Sequence, residues 1–137
     1  MRYLAVALLL LATAAQADEQ KLGGYTVHYI AQNVSELSPE IARHYGIDRL
    51  PRVAMVLVNI RDRGGKPVTA AVSGKAQNLL GESQNLAMKK ITEGAAVSYV
   101  GLFEISNLEI QNLSLDITPQ GAKVPLNLKF SQQFFVD

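Results

Sequence analysis

The run Val53 to Ile60, Val-Ala-Met-Val-Leu-Val-Asn-Ile, constrains the fold more than any other stretch. It is short, rich in β-branched side chains, and apolar at both alternating sets of positions. Such a run reads as a strand buried on both faces, and so as the centre of a sheet. Leu50-Pro51 breaks the chain before it. Arg61 to Pro67, with Gly64-Gly65, is a charged hairpin turn, read as a solvated loop tip and not a binding patch. Val68 to Ala76 is then the expected return strand, its small residues suited to close packing or an edge.

The remaining strands follow from period-two patterns. Tyr25, Val27, Tyr29 and Ala31 share one side of a strand, and Thr26, His28 and Ile30 the other. Asn78 to Asn85 is polar and irregular, and Leu86 to Ile91 is a short strand. In Ala95 to Ile105, Val97, Tyr99, Phe103 and Ile105 face one way, with Gly101 leaving room for a neighbour. From Asn107 to Ile117 the parity of the apolar residues changes: Leu108 and Ile110 fall on one side, Leu113, Leu115 and Ile117 on the other. One apolar face then requires an extra residue, which predicts a β-bulge near Gln111-Asn112. Thr118 to Gly121 is a hairpin turn, and Val124, Leu126, Leu128 and Phe130 alternate along a last strand reaching about Phe135. The expected class is all-β: one immunoglobulin-like antiparallel β-sandwich of about seven strands, with a short helix inserted after the first. An up-and-down barrel is the alternative.

That helix has explicit start and stop signals. Ser38 is a suitable N-cap and Pro39 suits the first helical position. Ile41, Ala42 and Tyr45 form an apolar stripe. Gly46 supplies a left-handed ending on which Ile47 can fold back toward Ala42. A helix of two turns is stable only when docked against other structure.

The chain opens with Met1-Arg2-Tyr3, an apolar run to Ala15 and a small-x-small site at Ala15-Gln16-Ala17. These features predict an export signal over 1–17, cleaved after Ala17, and an exported domain over 18–137. The apolar run falls short of the roughly 20 residues a bilayer span needs. The chain has 13 Lys and Arg against 12 Asp and Glu, and loss of Arg2 balances them. No global field is left to recruit nucleic acid or an anionic membrane. With no cysteine there is neither a disulfide framework nor thiolate chemistry. Periplasmic localisation is the expectation, with no membrane insertion after signal cleavage.

No cofactor is expected. His28 and His44 sit on different elements, so they form no ligand-spaced metal pair. Met55 lies in the apolar central run and Met88 is isolated, positions more typical of core than of copper ligands. No nucleophile elbow or phosphate loop is present. Tyr29, Tyr45 and Tyr99 alternate with core positions, which suits buried rings with bonded hydroxyls. Arg43, His44, Arg49 and Arg52 gather around the helix end. The helix dipole accounts for Arg43 and His44, and less well for Arg49 and Arg52. Either arginine is free to hold a carboxylate of the domain or an anionic ligand.

Two blocks carry a family resemblance. Tyr25-Thr26-Val27-His28-Tyr29 with Ala31 is followed by Leu37-Ser38-Pro39, Ile41-Ala42 and Tyr45-Gly46-Ile47 with Arg49. With the weaker Val58-Asn59-Ile60 and Gly101-Leu102-Phe103, the chain resembles a bacterial exported family known as domain of unknown function 4426. In the family pattern a polar residue, often Asn, follows the His-Tyr pair, and a Ser follows the final Arg. Here these positions are Ile30 and Leu50. The resemblance implies an exported single-domain protein of gammaproteobacterial type and no particular activity.

The resulting expectation is an exported, non-catalytic domain that binds a protein or small-molecule partner in the cell envelope. Its expected site is His28, Arg43, Tyr45 and Arg49, where the first strand meets the helix. Two alternatives stand beside it: a hydrolase or isomerase using His28 as base, and an envelope assembly factor or chaperone that pairs through a strand edge.

Overall fold

The computed structural model describes residues 17–137, so the expected export signal lies outside the described residues apart from Ala17. Ten strands build two antiparallel sheets: β1 (Asp18–Leu22), β2 (Tyr25–Asn33), β3 (Val53–Arg61), β4 (Pro67–Val68), β5 (Ala70–Asn78), β6 (Ser83–Leu86), β7 (Lys89–Glu93), β8 (Ala96–Glu104), β9 (Ile110–Pro119) and β10 (Leu126–Gln133). The larger sheet runs β1-β2-β3-β8-β7, with β4 also on β3; the smaller runs β10-β9-β5-β6. The all-β sandwich class is as expected, but the described residues form ten strands and not seven. The helix follows the second strand and not the first. Its missed predecessor, β1, reads Asp-Glu-Gln-Lys-Leu and has no apolar alternation to reveal it.

β3 is central, flanked by β2 and β8. Ala54, Val56, Val58 and Ile60 face the smaller sheet and pack with Leu113, Leu115, Ile117 and Leu128. Met55, with Val53 and Leu57, faces the other way and is covered by the helical segment. Helix α1 (Pro39–Tyr45) begins and ends as its sequence dictates. The Ser38 side chain accepts the Ile41 N–H, and Gly46 lies at φ 70°. Gly46 and Ile47 donate to the carbonyls of Arg43 and Ala42, at 3.1 and 2.8 Å, which completes a Schellman ending. Ala42 and Ile47 are buried against Met55, Ile91 and Val100. Ile41, expected on the docked face, is instead largely exposed.

Three strand expectations are corrected. The Val68–Ala76 return strand is two strands: β4 pairs with β3 only at Ile60 and Arg61, then the chain crosses into the smaller sheet as β5. At the crossing the buried Tyr99 hydroxyl accepts the Ala70 N–H at 2.8 Å. Leu86–Ile91 likewise divides between β6 in the smaller sheet and β7 in the larger. Met88, in the connection, fills the notch left by Gly101; a Cβ there would lie 2.5 Å from its Sδ.

The third is the bulge, which does not exist. The pairing of β9 is unbroken from Ile110 onward with β10 and from Gln111 onward with β5. Leu108 lies outside the strand, exposed, at φ 67°. The inward parity is completed by a polar residue: Gln111 points into the core and is 1% exposed. Val124 is also outside the last strand and exposed; the alternation starts at Leu126.

Candidate functional site

The four residues expected to form a site are not gathered into one. His28 lies on β2 opposite Glu19 of β1 and Asn59 of β3, with Nδ1 3.7 Å from Glu19 Oε1. Arg49 donates from Nη2 to the Ser35 carbonyl at 3.2 Å, clasping the segment after α1 to the 3₁₀ turn Val34–Glu36. Arg43 is exposed in the last turn of α1, where the helix dipole favours a cation. Tyr45 packs at the margin of the cluster beneath α1. Burial, and secondarily the Glu93 carboxylate, push its phenol above the usual range. The same margin holds His44, whose Nε2 is 3.3 Å from Glu93 Oε2, and Lys89, whose Nζ donates to the Tyr45 carbonyl. Among the described residues no hydrogen bond or ion pair joins His28 to Arg43, Tyr45 or Arg49. No group of three or more His, Asp or Glu among the described residues is arranged to hold a metal ion.

A different place collects the polar groups. Where β6 of one sheet meets β8 of the other, a cleft of about 530 Å³ opens at the end of the sandwich. Leu50 to Val53 and Glu104 to Ser106 line it from the larger sheet; Asn78, Glu82, Gln84 and Glu109 line it from the smaller. Its walls are held by specific bonds. Gln84 grips the backbone of Glu104 at both ends of its amide: Nε2 donates to the carbonyl at 2.9 Å, and Oε1 accepts the N–H at 2.7 Å. The Arg52 carbonyl accepts the Ile105 N–H at 3.0 Å, which fixes the entry to β3 against the exit of β8.

The floor is the unusual part. Asn78 and Gln111 are the buried polar residues among those described, and both belong to this network. Asn78 Nδ2 donates to Glu82 Oε1 at 2.7 Å and to Glu109 Oε2 at 2.9 Å. Its Oδ1 accepts the N–H groups of Leu80 and Glu82, pinning the β5–β6 hairpin. Gln111 Nε2 donates to Glu109 Oε1 at 2.8 Å and more distantly to the Glu104 carbonyl. Its buried Oε1 has no hydrogen-bond partner among the described residues. A buried amide is a net cost unless its bonds are complete, and an apolar side chain of that size would contribute about 2 kcal/mol of burial at the same position. Asn78 meets that condition at both ends, and Gln111 meets it only through its Nε2. Above them, Arg52 lines a space with Glu82, Glu104 and Glu109, yet among the described residues it forms no ion pair.

Sequence reasoning placed Arg52 among the helix-end cations but did not connect it with the rest. Glu82, Glu104 and Glu109 lie on three separate segments, and no periodic pattern links them. The one usable signal was the parity change at Gln111, which marks a polar residue on an apolar face.

A family model described as domain of unknown function (DUF4426) matches residues 19–137. Among functionally curated proteins none matches the chain. Solved structures share the fold. A DUF4426 family protein from Pseudomonas aeruginosa PAO1 is 29% identical, with a TM-score of 0.78 over 88% of this chain and 96% of that one. FetP of uropathogenic Escherichia coli strain F11 is 10% identical, with a TM-score of 0.63 over 92% of this chain and 99% of its own. A copper-bound variant of that FetP is 11% identical, with a TM-score of 0.63 and coverages of 90% and 97%. At 10–11% identity the likeness to FetP is one of fold alone.

Proposed function

The chain belongs to the DUF4426 family, and on that footing we propose that it is an exported, periplasmic, non-catalytic domain that binds a partner in the cleft between β6 and β8. The observation that carries the reading is the floor of the cleft, where the buried amides Asn78 and Gln111 meet at Glu109. Departures from an apolar core concentrate at functional sites, and the volume falls within the range of ordinary ligand sites. The walls are strand ends and their immediate extensions joined by short bonds, so the site is preorganised. Export is supported by the basic-apolar-small pattern of residues 1–17. FetP, similar in fold, was produced in the periplasm of Escherichia coli.

His28, Tyr45 and Arg49 take supporting parts in this reading: His28 stands beside Glu19 of β1, Tyr45 packs beneath α1, and Arg49 clasps the segment after α1 to the 3₁₀ turn, while Arg43 only answers the helix dipole. The test is a ligand-observed NMR screen of small molecules and short peptides against the purified protein and a Ser106→Trp variant. Ser106 lines the cleft with an exposed side chain, while its backbone N–H holds Glu109 and survives the substitution. Hits should vanish in Ser106→Trp while its melting temperature is kept. Hits retained in full by the variant refute the cleft as the site.

A further inference from the structure

We propose that the occupant of the cleft is an extended polypeptide segment in which a Lys or Arg stands beside apolar residues. This inference rests on the cleft being the binding site. The cleft does not end at Arg52 and Glu82. It continues into a second groove of about 350 Å³, lined by Gly46, Asp48, Leu102 and Phe103 and sharing Leu50, Val53, Gln84 and Glu104 with the first. The combined trough changes character along its length.

One end is apolar and open to solvent. Leu50 is 52% and Leu102 42% exposed, and both line the trough. The other end is acidic. Glu82, Glu104 and Glu109 line it with one guanidinium, Arg52, and among the described residues none of these charges is in an ion pair; Asp48 adds a fourth carboxylate beside Leu102. Glu109 is saturated by Asn78, Gln111 and the Ser106 N–H, and Glu82 Oε1 accepts from Asn78, which leaves Glu82 Oε2 and the Glu104 carboxylate to meet a cation. Beside this end the β5–β6 hairpin tip presents Leu79 and Leu80, 70% and 85% exposed. The tip is not loose, because Asn78 Oδ1 holds the Leu80 N–H at 3.0 Å. Large leucines fixed in solvent around an acidic trough are a poor arrangement for a free surface and a good one for a partner chain. A small polycation would use the carboxylates and leave the leucines bare. An anionic segment would meet four carboxylates.

The test is fluorescence anisotropy with the purified protein and four probes: a short alternating Leu/Lys peptide, its Leu/Gln and Leu/Glu counterparts, and spermidine as competitor. The Leu/Lys peptide should bind at least about tenfold more tightly than the Leu/Gln peptide, with affinity falling as salt rises. The Leu/Glu peptide should not bind, and spermidine should displace the Leu/Lys peptide only weakly. Glu82→Gln with Glu104→Gln should weaken the Leu/Lys peptide by about tenfold or more, and Leu102→Ser should weaken it also. Equal binding of the Leu/Glu peptide, full displacement by spermidine at comparable concentration, or indifference to both sets of variants overturns the proposal. If screen hits that Ser106→Trp abolishes are all neutral or anionic, the cleft stands as the site and the cationic segment falls. If hits persist in Ser106→Trp, both fall.

Discussion

Replacing Glu109 tests whether the cleft floor is a real network. In Glu109→Ala three donors lose their acceptor: the Ser106 N–H, Asn78 Nδ2 and Gln111 Nε2. The loss is unequal. Ser106 is exposed and water replaces the carboxylate. Asn78 keeps Glu82 Oε1 at 2.7 Å. Gln111 keeps only the Glu104 carbonyl at 3.5 Å, and among the described residues its Oε1 is already without a partner. A fully buried amide left with one long bond costs about 1–3 kcal/mol, and lost charge-assisted bonds bring the whole to about 2–4 kcal/mol. Gln111→Leu removes the amide itself. It should be neutral or stabilising by up to about 1 kcal/mol, since replacing a poorly satisfied polar group with an apolar one of similar size is well tolerated. The double variant should therefore be more stable than Glu109→Ala alone, with a coupling of about 1–3 kcal/mol. Urea unfolding at constant m-value measures all four corners of the cycle. A Glu109→Ala loss below about 0.5 kcal/mol, or a double variant equal to the sum of the singles, refutes the reasoning.

Other expectations are more local. Gly74→Ala should cost about 1–3 kcal/mol in urea unfolding, because its Cβ would sit 2.6 Å from the Ser114 carbonyl, a backbone atom that cannot rotate away. Ser38→Ala should cost about 1 kcal/mol by the same assay through loss of the cap to Ile41, and Ser38→Asp should restore most of it. The Tyr45 phenol should titrate by ultraviolet difference above the usual value of about 10, chiefly from burial, and Glu93→Gln should lower that midpoint only in part. A raised folded value means the neutral phenol is the form the fold favours. Its contribution is therefore intact below about pH 10 and lost as the pH climbs through the folded midpoint.

Elements with local chemistry were legible in the sequence. Ser38, Pro39, Gly46 and Ile47 specify α1 through bonds between residues no more than five apart, so reading them needs no tertiary information. The double-sided apolar pattern of β3 likewise announced its central place. Failures came where tertiary context overrode pattern. β1 pairs through its backbone and so needs no apolar face. The crossings at Thr69 and Ala87-Met88 cut apparently single strands in two. At Gln111 the parity conflict was visible, but its resolution was not. A bulge would have kept one apolar face; the fold instead buries an amide, which is reasonable only with Glu109 and Asn78 beside it, and those arrive from separate segments. The helix-end cations looked like a site because ionisable residues were dense there. In the fold Arg49 is taken up by the Ser35 carbonyl, and His28 stands beside Glu19.

The central claim is that partners bind where the two sheets part over Asn78 and Gln111. An amide chemical-shift map of the isotopically labelled protein, titrated with the Leu/Lys peptide, tests it most directly. Shifts should concentrate at Arg52, Gln84, Glu104 and Ser106 and extend to Leu102. Shifts centred instead on His28, Arg43 and Arg49, with the cleft unmoved, would contradict it.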